Sequence, residues 1–202
     1  MPPRKLAAPT ARTCPLTRSH TERTLTIVPS TTAWNFSVYL EYGQVYLMPA
    51  WGDSDSPGEE MDDMVDLLGH AFDPGIASGK DSTVFVLPHR DAFGVPLQAQ
   101  LWDSEPPKDL GGWDEAFEAS LIAGERGVTW VSPTVEGVDI PVPAGRYRAR
   151  ISGRGLLRPP WDEELDEKAF SDQYRIQLWP TTDMAPPERL LRWPHPETCS
   201  CI

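Results

Sequence analysis

Nowhere in the 202 residues does an apolar run approach the about 18 residues that a membrane-spanning helix needs. Arg4 and Lys5 are not followed by the apolar stretch of a secretory signal. A membrane protein and a signal-exported one are therefore not expected, and a cytoplasmic setting is. Cysteine is scarce: Cys14, Cys199 and Cys201 lie near the two ends, so no disulfide framework staples the centre of the chain. Lysine is scarce too, four against fourteen arginines. That imbalance reads as GC-rich coding more readily than as selection for guanidinium chemistry.

Reaction motifs are missing as well. There is no Gly-x-Ser-x-Gly elbow, and no cysteine falls in a core-forming segment. Ser152-Gly-Arg-Gly155 has two glycines but neither pattern of a phosphate-cradling loop. His195-Pro-Glu-Thr-Cys199-Ser-Cys201 groups one histidine with two cysteines, yet a zinc site needs a fourth ligand that only Cys14 or His20, at the far end, would supply. An untethered tail, with no metal and no cofactor, is the expectation.

What is present is punctuation. Twenty-two prolines and fifteen glycines separate short apolar runs, the pattern of many short strands. Trp34, Phe36, Val38 and Leu40 alternate with Asn35, Ser37, Tyr39 and Glu41, which predicts a half-buried strand. Tyr42-Gly43 suggests a turn into a second strand from Gln44 to Met48. Further strands are predicted at 83–88, 95–102, 117–121, 128–131, 140–142, 146–151 and 172–179.

One stretch breaks this pattern. Met61, Met64, Val65 and Leu68 recur at helical spacing, and Ser56, Pro57 and Glu59 make a capping box, so one amphipathic helix is predicted over 56–72, with His70 at its C-terminal end. Eight or nine strands and one helix give a mainly β chain, an antiparallel β-sandwich. The domain boundaries follow composition: 1–23 a disordered basic extension, 24–180 a single β domain, 181–202 a Pro-rich flexible tail.

The segment Val142–Gly155, VPAGRYRARISGRG, sets four arginines within nine residues of a chain whose net charge is -12. Tyr147, Ala149 and Ile151 fall on one side of a strand, with Arg146, Arg148 and Arg150 on the other. Three readings of the arginines stay open: salt-bridged packing, with the five acids of Trp161–Glu167 folding over them, a binding stripe, and a catalytic role.

Leu101-Trp-Asp-Ser-Glu-Pro-Pro107, Gly112–Leu121, the Pro143–Gly155 segment and Tyr174-Arg-Ile-Gln-Leu-Trp-Pro180 together resemble a group of uncharacterised actinobacterial β-domain proteins, over roughly residues 33–180. The resemblance implies one compact β domain. The Pro-x-Gly-x-Tyr start of the late strand is also similar to the competence protein J family of nuclease inhibitors.

Charge ranks the functions. Residues 1–24 carry five basic residues against Glu22, a net of +4, which leaves -16 on the rest. Such a body repels nucleic acid and acidic membranes and suits a basic protein partner. Asp53, Asp55, Glu59, Glu60, Asp62, Asp63 and Asp66 form an acidic run without a base, beside Trp51 and Tyr46 as aromatic anchors. The leading expectation is a non-enzymatic, acidic protein-binding module of immunity or inhibitor type, with Trp51 and those seven acids as its contact surface. The alternative is a small hydrolase or sugar-binding sandwich using loops near His89 and Trp102; a structural domain with a merely solvated acidic surface is the third.

Overall fold

Residues 32–51, 60–72, 75–79, 82–86, 92–155 and 172–192 are described in the computed structural model. Among them eleven strands and one helix succeed one another: β1 (Thr32–Leu40), β2 (Gln44–Ala50), α1 (Glu60–Ala71), β3 (Ile76–Ser78), β4 (Thr83–Val86), β5 (Ala92–Leu101), β6 (Glu115–Ala123), β7 (Gly127–Val131), β8 (Val138–Ile140), β9 (Gly145–Arg154), β10 (Gln173–Pro180) and β11 (Glu188–Leu191). They form a β-sandwich. A six-stranded sheet runs β1-β5-β10-β9-β6-β11, and a five-stranded sheet runs β3-β4-β2-β7-β8. All described pairings are antiparallel except β10 on β5.

The period-two pattern does what it should. Val38 and Leu40, Leu97 and Ala99, Ile176 and Leu178, Ala149 and Ile151, Phe117 and Leu121 face inward from the large sheet. They meet Val45, Leu47, Phe85, Val128 and Trp130 of the small one, with Trp130 against Tyr174 and Phe85 against Phe117. Buried apolar area of this kind is the dominant stabilising term of such a domain.

The turn at Tyr42-Gly43 forms, with both residues in the left-handed region (φ 54° and 61°) as a type I′ turn requires, and Gln44 N–H donates to Glu41 C=O at 3.0 Å. It is a corner, however, and not an extended hairpin: after the single Glu41–Gln44 bridge, β1 joins the large sheet and β2 the small one. A second corner, closed by the Gly124–Gly127 bridge, passes the chain from β6 to β7. There a Cβ on Gly127 (φ 111°) would stand 2.0 Å from the Ile140 carbonyl oxygen, and one on Gly124 would stand 2.5 Å from that of Ala50.

Pro96 in β5 is the residue least expected inside a sheet, because it has no N–H for the ladder. The register explains it. β10 reaches β5 only from Leu97 to Leu101, so Pro96, opposite Ser37 of β1, sits beyond the end of the neighbouring strand.

α1 lies on the outer face of the small sheet, packing Leu67, Leu68 and Ala71 on Tyr46, Ala77 and Val84. Ser56, Pro57 and Glu59 of the capping box lie outside the described residues. Tyr46, expected as an exposed aromatic anchor, is buried under the helix, its hydroxyl donating to Gln44 at 2.7 Å. Two short strands escaped the sequence reading: β3, and β11, which extends the large sheet beyond residue 180 into the Pro-rich segment.

Candidate functional site

Alternation in the large sheet leaves a second set of side chains on its outer face. The register places Gln100, Gln177, Arg150 and Glu118 in one row across four strands. Gln98, Arg175 and Ser152 form a neighbouring row, and Trp179, Arg148 and Ser120 another. This face is polar, and it is nevertheless largely buried. The segment 102–114 crosses above it, and the segment 183–187 touches its margin.

Arg150 is fully buried and each arm of its guanidinium is used. Nε donates to Glu118 Oε1 at 2.8 Å, Nη1 to the carbonyls of Pro106 and Pro107 at 3.2 and 2.9 Å, and Nη2 to Glu105 at 3.4 Å, while the plane lies over Trp179. The fixed fork of arginine suits this, since five donors in one plane serve several acceptors at once. Arg148 shares Glu118 at 3.6 Å and donates to the Ser120 hydroxyl and to the carbonyls of Ala185 and Pro186. Arg175 grips Asp109 with two parallel bonds of 3.0 and 2.9 Å, and Arg175 and Arg154 both stack on Trp113. Along the same face Trp102 donates its indole N–H to Gln100 at 3.1 Å, and Gln177 donates to Gln100 at 3.0 Å. Among the described residues, the Ser152 hydroxyl and Gln177 Oε1 are buried with no hydrogen-bond partner.

Arg148, Arg150 and Arg175 are thus packed and salt-bridged, and the bridges of Arg150 and Arg148 to Glu118 are buried. Their described partners are Glu118, Glu105 and Asp109. The Trp161–Glu167 acids, expected over this face, lie outside the described residues. None of Glu118, Glu105, Asp109 or Trp113 was singled out from sequence. Glu118 follows the alternation of its strand, but which strand it would face was readable only from the register.

At the far edge of this sheet Glu115 of β6 is buried against Arg189 of β11, and the Arg189 side chain lies against Gly75 and over Phe117. Burial pushes the Glu115 carboxyl above the ordinary carboxylate range, although Arg189 and Arg192 pull the other way. Tyr174, in the core, is pushed well above the ordinary phenol range, first by burial and then by Asp172 and Glu115.

The predicted contact residues are placed in part. Trp51 follows β2 and is half-buried; Glu60, Asp62, Asp63 and Asp66 belong to α1, with Asp66 exposed. Asp53, Asp55 and Glu59 lie outside the described residues, as do His89, His195, Cys199 and Cys201. Trp102, the aromatic of the alternative reading, is buried with its N–H engaged. It follows Leu101 at one end of β5, whereas His89 precedes the other end at Ala92.

A pocket of about 300 Å³ opens on the flank where β1 meets β8, lined by Ser37, Val38, Tyr39, Trp130, Val131, Ser132, Glu136, Gly137 and Val138. Ser132 holds its floor together: its hydroxyl donates to the Gln44 carbonyl at 2.6 Å and accepts the Glu41 N–H at 3.2 Å.

No family model matches the chain, and no curated protein matches it in sequence. Solved structures do match. The fold is similar to that of ComJ. That protein, from Bacillus subtilis, is described as an inhibitor of the DNA degrading activity of NucA; the likeness has a TM-score of 0.50 at 17% identity and covers 76% of this chain and 98% of ComJ. The product of crocagin biosynthetic gene J is similar to the same degree, with a TM-score of 0.50, 16% identity, and coverage of 74% of this chain and 97% of that one. At these identities the shared property is the fold. Among the described residues no group of three or more His, Cys, Asp or Glu is placed to hold a metal, and no helix is long and apolar enough to cross a membrane.

Proposed function

We propose that this protein is a non-enzymatic, protein-binding module of inhibitor type that covers a basic partner protein in the cytoplasm. The observation that carries the reading is the likeness of its sandwich to nearly the whole of ComJ. Charge supports it: a net of -12 steers a basic protein toward the surface and nucleic acid away from it. The proposed contact surface is the acidic run with its aromatic anchor, Trp51, Asp53, Asp55, Glu59, Glu60, Asp62, Asp63 and Asp66, of which the helical part rides on the outer face of the small sheet. α1 is suited to this role because Leu67, Leu68 and Ala71 fix it to the sheet while Asp66 points to solvent.

ComJ's described role makes a nuclease the first activity to assay. The purified chain, added to an extract of the source cells, is expected to slow degradation of a labelled DNA duplex in a saturable way. Charge reversal at Glu59, Glu60, Asp62 and Asp63 is expected to remove the effect. Unchanged degradation at every concentration would count against a nuclease as the partner, and inhibition that survives the charge reversal would reject the acidic surface.

A further inference from the structure

β1 is an edge without the usual protection. On one side it pairs with β5 from Thr32 to Leu40; on the other, among the described residues, no strand adds to it. Exposed edges are normally blunted by charge, by proline or by being short. The nine residues of β1, TAWNFSVYL, contain no charge and no proline, and the one irregularity lies near its end, between Val38 and Leu40. Trp34 and Phe36 are half-buried on its inner side.

The pairing also fixes which backbone groups are on offer. Ser37 stands opposite Pro96, which has no N–H to give, so this position fits the non-hydrogen-bonded sites of the ladder. The N–H and C=O of Ser37 then point away from β5, and by period two those of Asn35 and Ala33 do as well. Directly beside this outward row opens the pocket between β1 and β8. Val38 and Val138 give it apolar walls, Tyr39 an aromatic one, and the exposed Glu136 a carboxylate.

We propose that β1 is a docking edge for an extended, basic segment of the partner protein, which adds to the six-stranded sheet as a further antiparallel strand and seats one Arg or Lys side chain in the pocket. Main-chain bonds to Ala33, Asn35 and Ser37 supply affinity, and the pocket supplies selectivity. The stem of a long basic side chain lies along Val38 and Val138 while its cation meets Glu136 and the Tyr39 ring. The overall charge of -12 favours the same occupant. This inference rests on the protein-binding reading but not on the acidic run of α1. β1 and β8 form one flank of the sandwich, whereas α1 packs on β3 and β4 at the other side of the small sheet.

The test uses the full chain, isotope-labelled, and four capped nonapeptides of alternating threonine and valine whose central residue is arginine, lysine, glutamate or alanine. Amide shifts are followed by NMR. The arginine and lysine peptides are expected to shift Ala33, Asn35, Ser37 and the 136–138 backbone, and to bind about tenfold more tightly than the glutamate peptide. Ser37→Pro, and independently Asn35→Arg, should abolish those shifts without lowering the melting temperature by more than a few degrees. Glu136→Gln should remove the preference for a basic residue while leaving alanine-peptide binding in place. Shifts confined to α1, equal binding of all four peptides, or no binding would each overturn the docking edge. The protein-binding reading is judged separately. A basic protein retained equally by the wild-type and Ser37→Pro chains sinks the edge alone, and a wild-type chain that retains nothing sinks the reading itself.

Discussion

Arg150 and Glu118 stand directly opposite one another in the register of β9 and β6, with Arg150 Nε 2.8 Å from Glu118 Oε1 beneath the segment 102–114. Both are buried, so neither charge has water to fall back on. The pair holds the strap above the sheet: the same guanidinium that meets Glu118 also donates to the carbonyls of Pro106 and Pro107.

Removing one partner is therefore expected to cost far more than the pair contributes. Arg150→Met should destabilise the chain by about 3 kcal/mol, because buried Glu118 loses its shortest bond and keeps only the longer contacts to Arg148 and Lys108, and the Pro106 and Pro107 carbonyls lose their donor. Arg150→Met with Glu118→Leu should recover most of that loss. Urea unfolding measures both; a single-variant cost below about 1 kcal/mol would show that the site is wetter than the structure has it.

Glu115 gives stability a pH dependence of definite sign. Its carboxyl is raised by burial, so the folded state holds a proton that the unfolded state has already released. Its contribution is complete below the ordinary carboxylate pKa and is lost as pH rises through the raised one. The stability of Glu115→Gln minus that of the wild type should thus grow between about pH 4 and about pH 7. A difference that stays flat over that range would show that the Arg189 pair keeps Glu115 charged throughout.

Gly127 has no room for a methyl group. Gly127→Ala drives Cβ into the Ile140 carbonyl at a left-handed backbone angle, and should lower stability by about 3 kcal/mol or more. Gly111→Ala is the control: nothing lies within 4 Å of its Cβ position, and the change should stay within about 0.5 kcal/mol. Thermal unfolding compares them, and equal midpoints would mean that the corner between β6 and β7 yields easily.

Two guanidiniums share the Trp113 ring, Arg175 at 4.5 Å and Arg154 at 5.1 Å. Trp113→Leu should cost about 1–2 kcal/mol and loosen the 102–114 strap, seen as faster amide exchange at Trp102 and Asp109. Unchanged exchange would leave the Arg175–Asp109 bonds as sufficient to hold it.

The sequence disclosed the sandwich because its signal is local. Alternation in Trp34–Leu40, in Val95–Leu101 and in Tyr174–Leu178 specifies both the strand and the face that is buried. It also oriented the arginines correctly, with Tyr147, Ala149 and Ile151 inward. What it did not disclose depends on pairing between distant segments. Glu118 became the partner of Arg150 through a register that no local pattern contains, and Tyr46 looked exposed until α1 was laid over it. β3 and β11 are too short for a period to show. The Tyr42-Gly43 turn was legible from residue type, but not that it links two sheets. The pocket at β1 and β8 draws its lining from three separate stretches, and none of them is distinctive alone.

The central claim, that this chain binds a basic protein through an acidic surface, is tested most directly by affinity capture. The full-length protein is immobilised and exposed to lysate of the source cells at low and at moderate salt, alongside a variant with Glu60, Asp62, Asp63 and Asp66 changed to lysine. The account predicts that one basic protein is retained at low salt, retained less as salt screens the attraction, and lost from the charge-reversed variant. Retention that ignores both salt and charge reversal, or no retained protein at all, would contradict it.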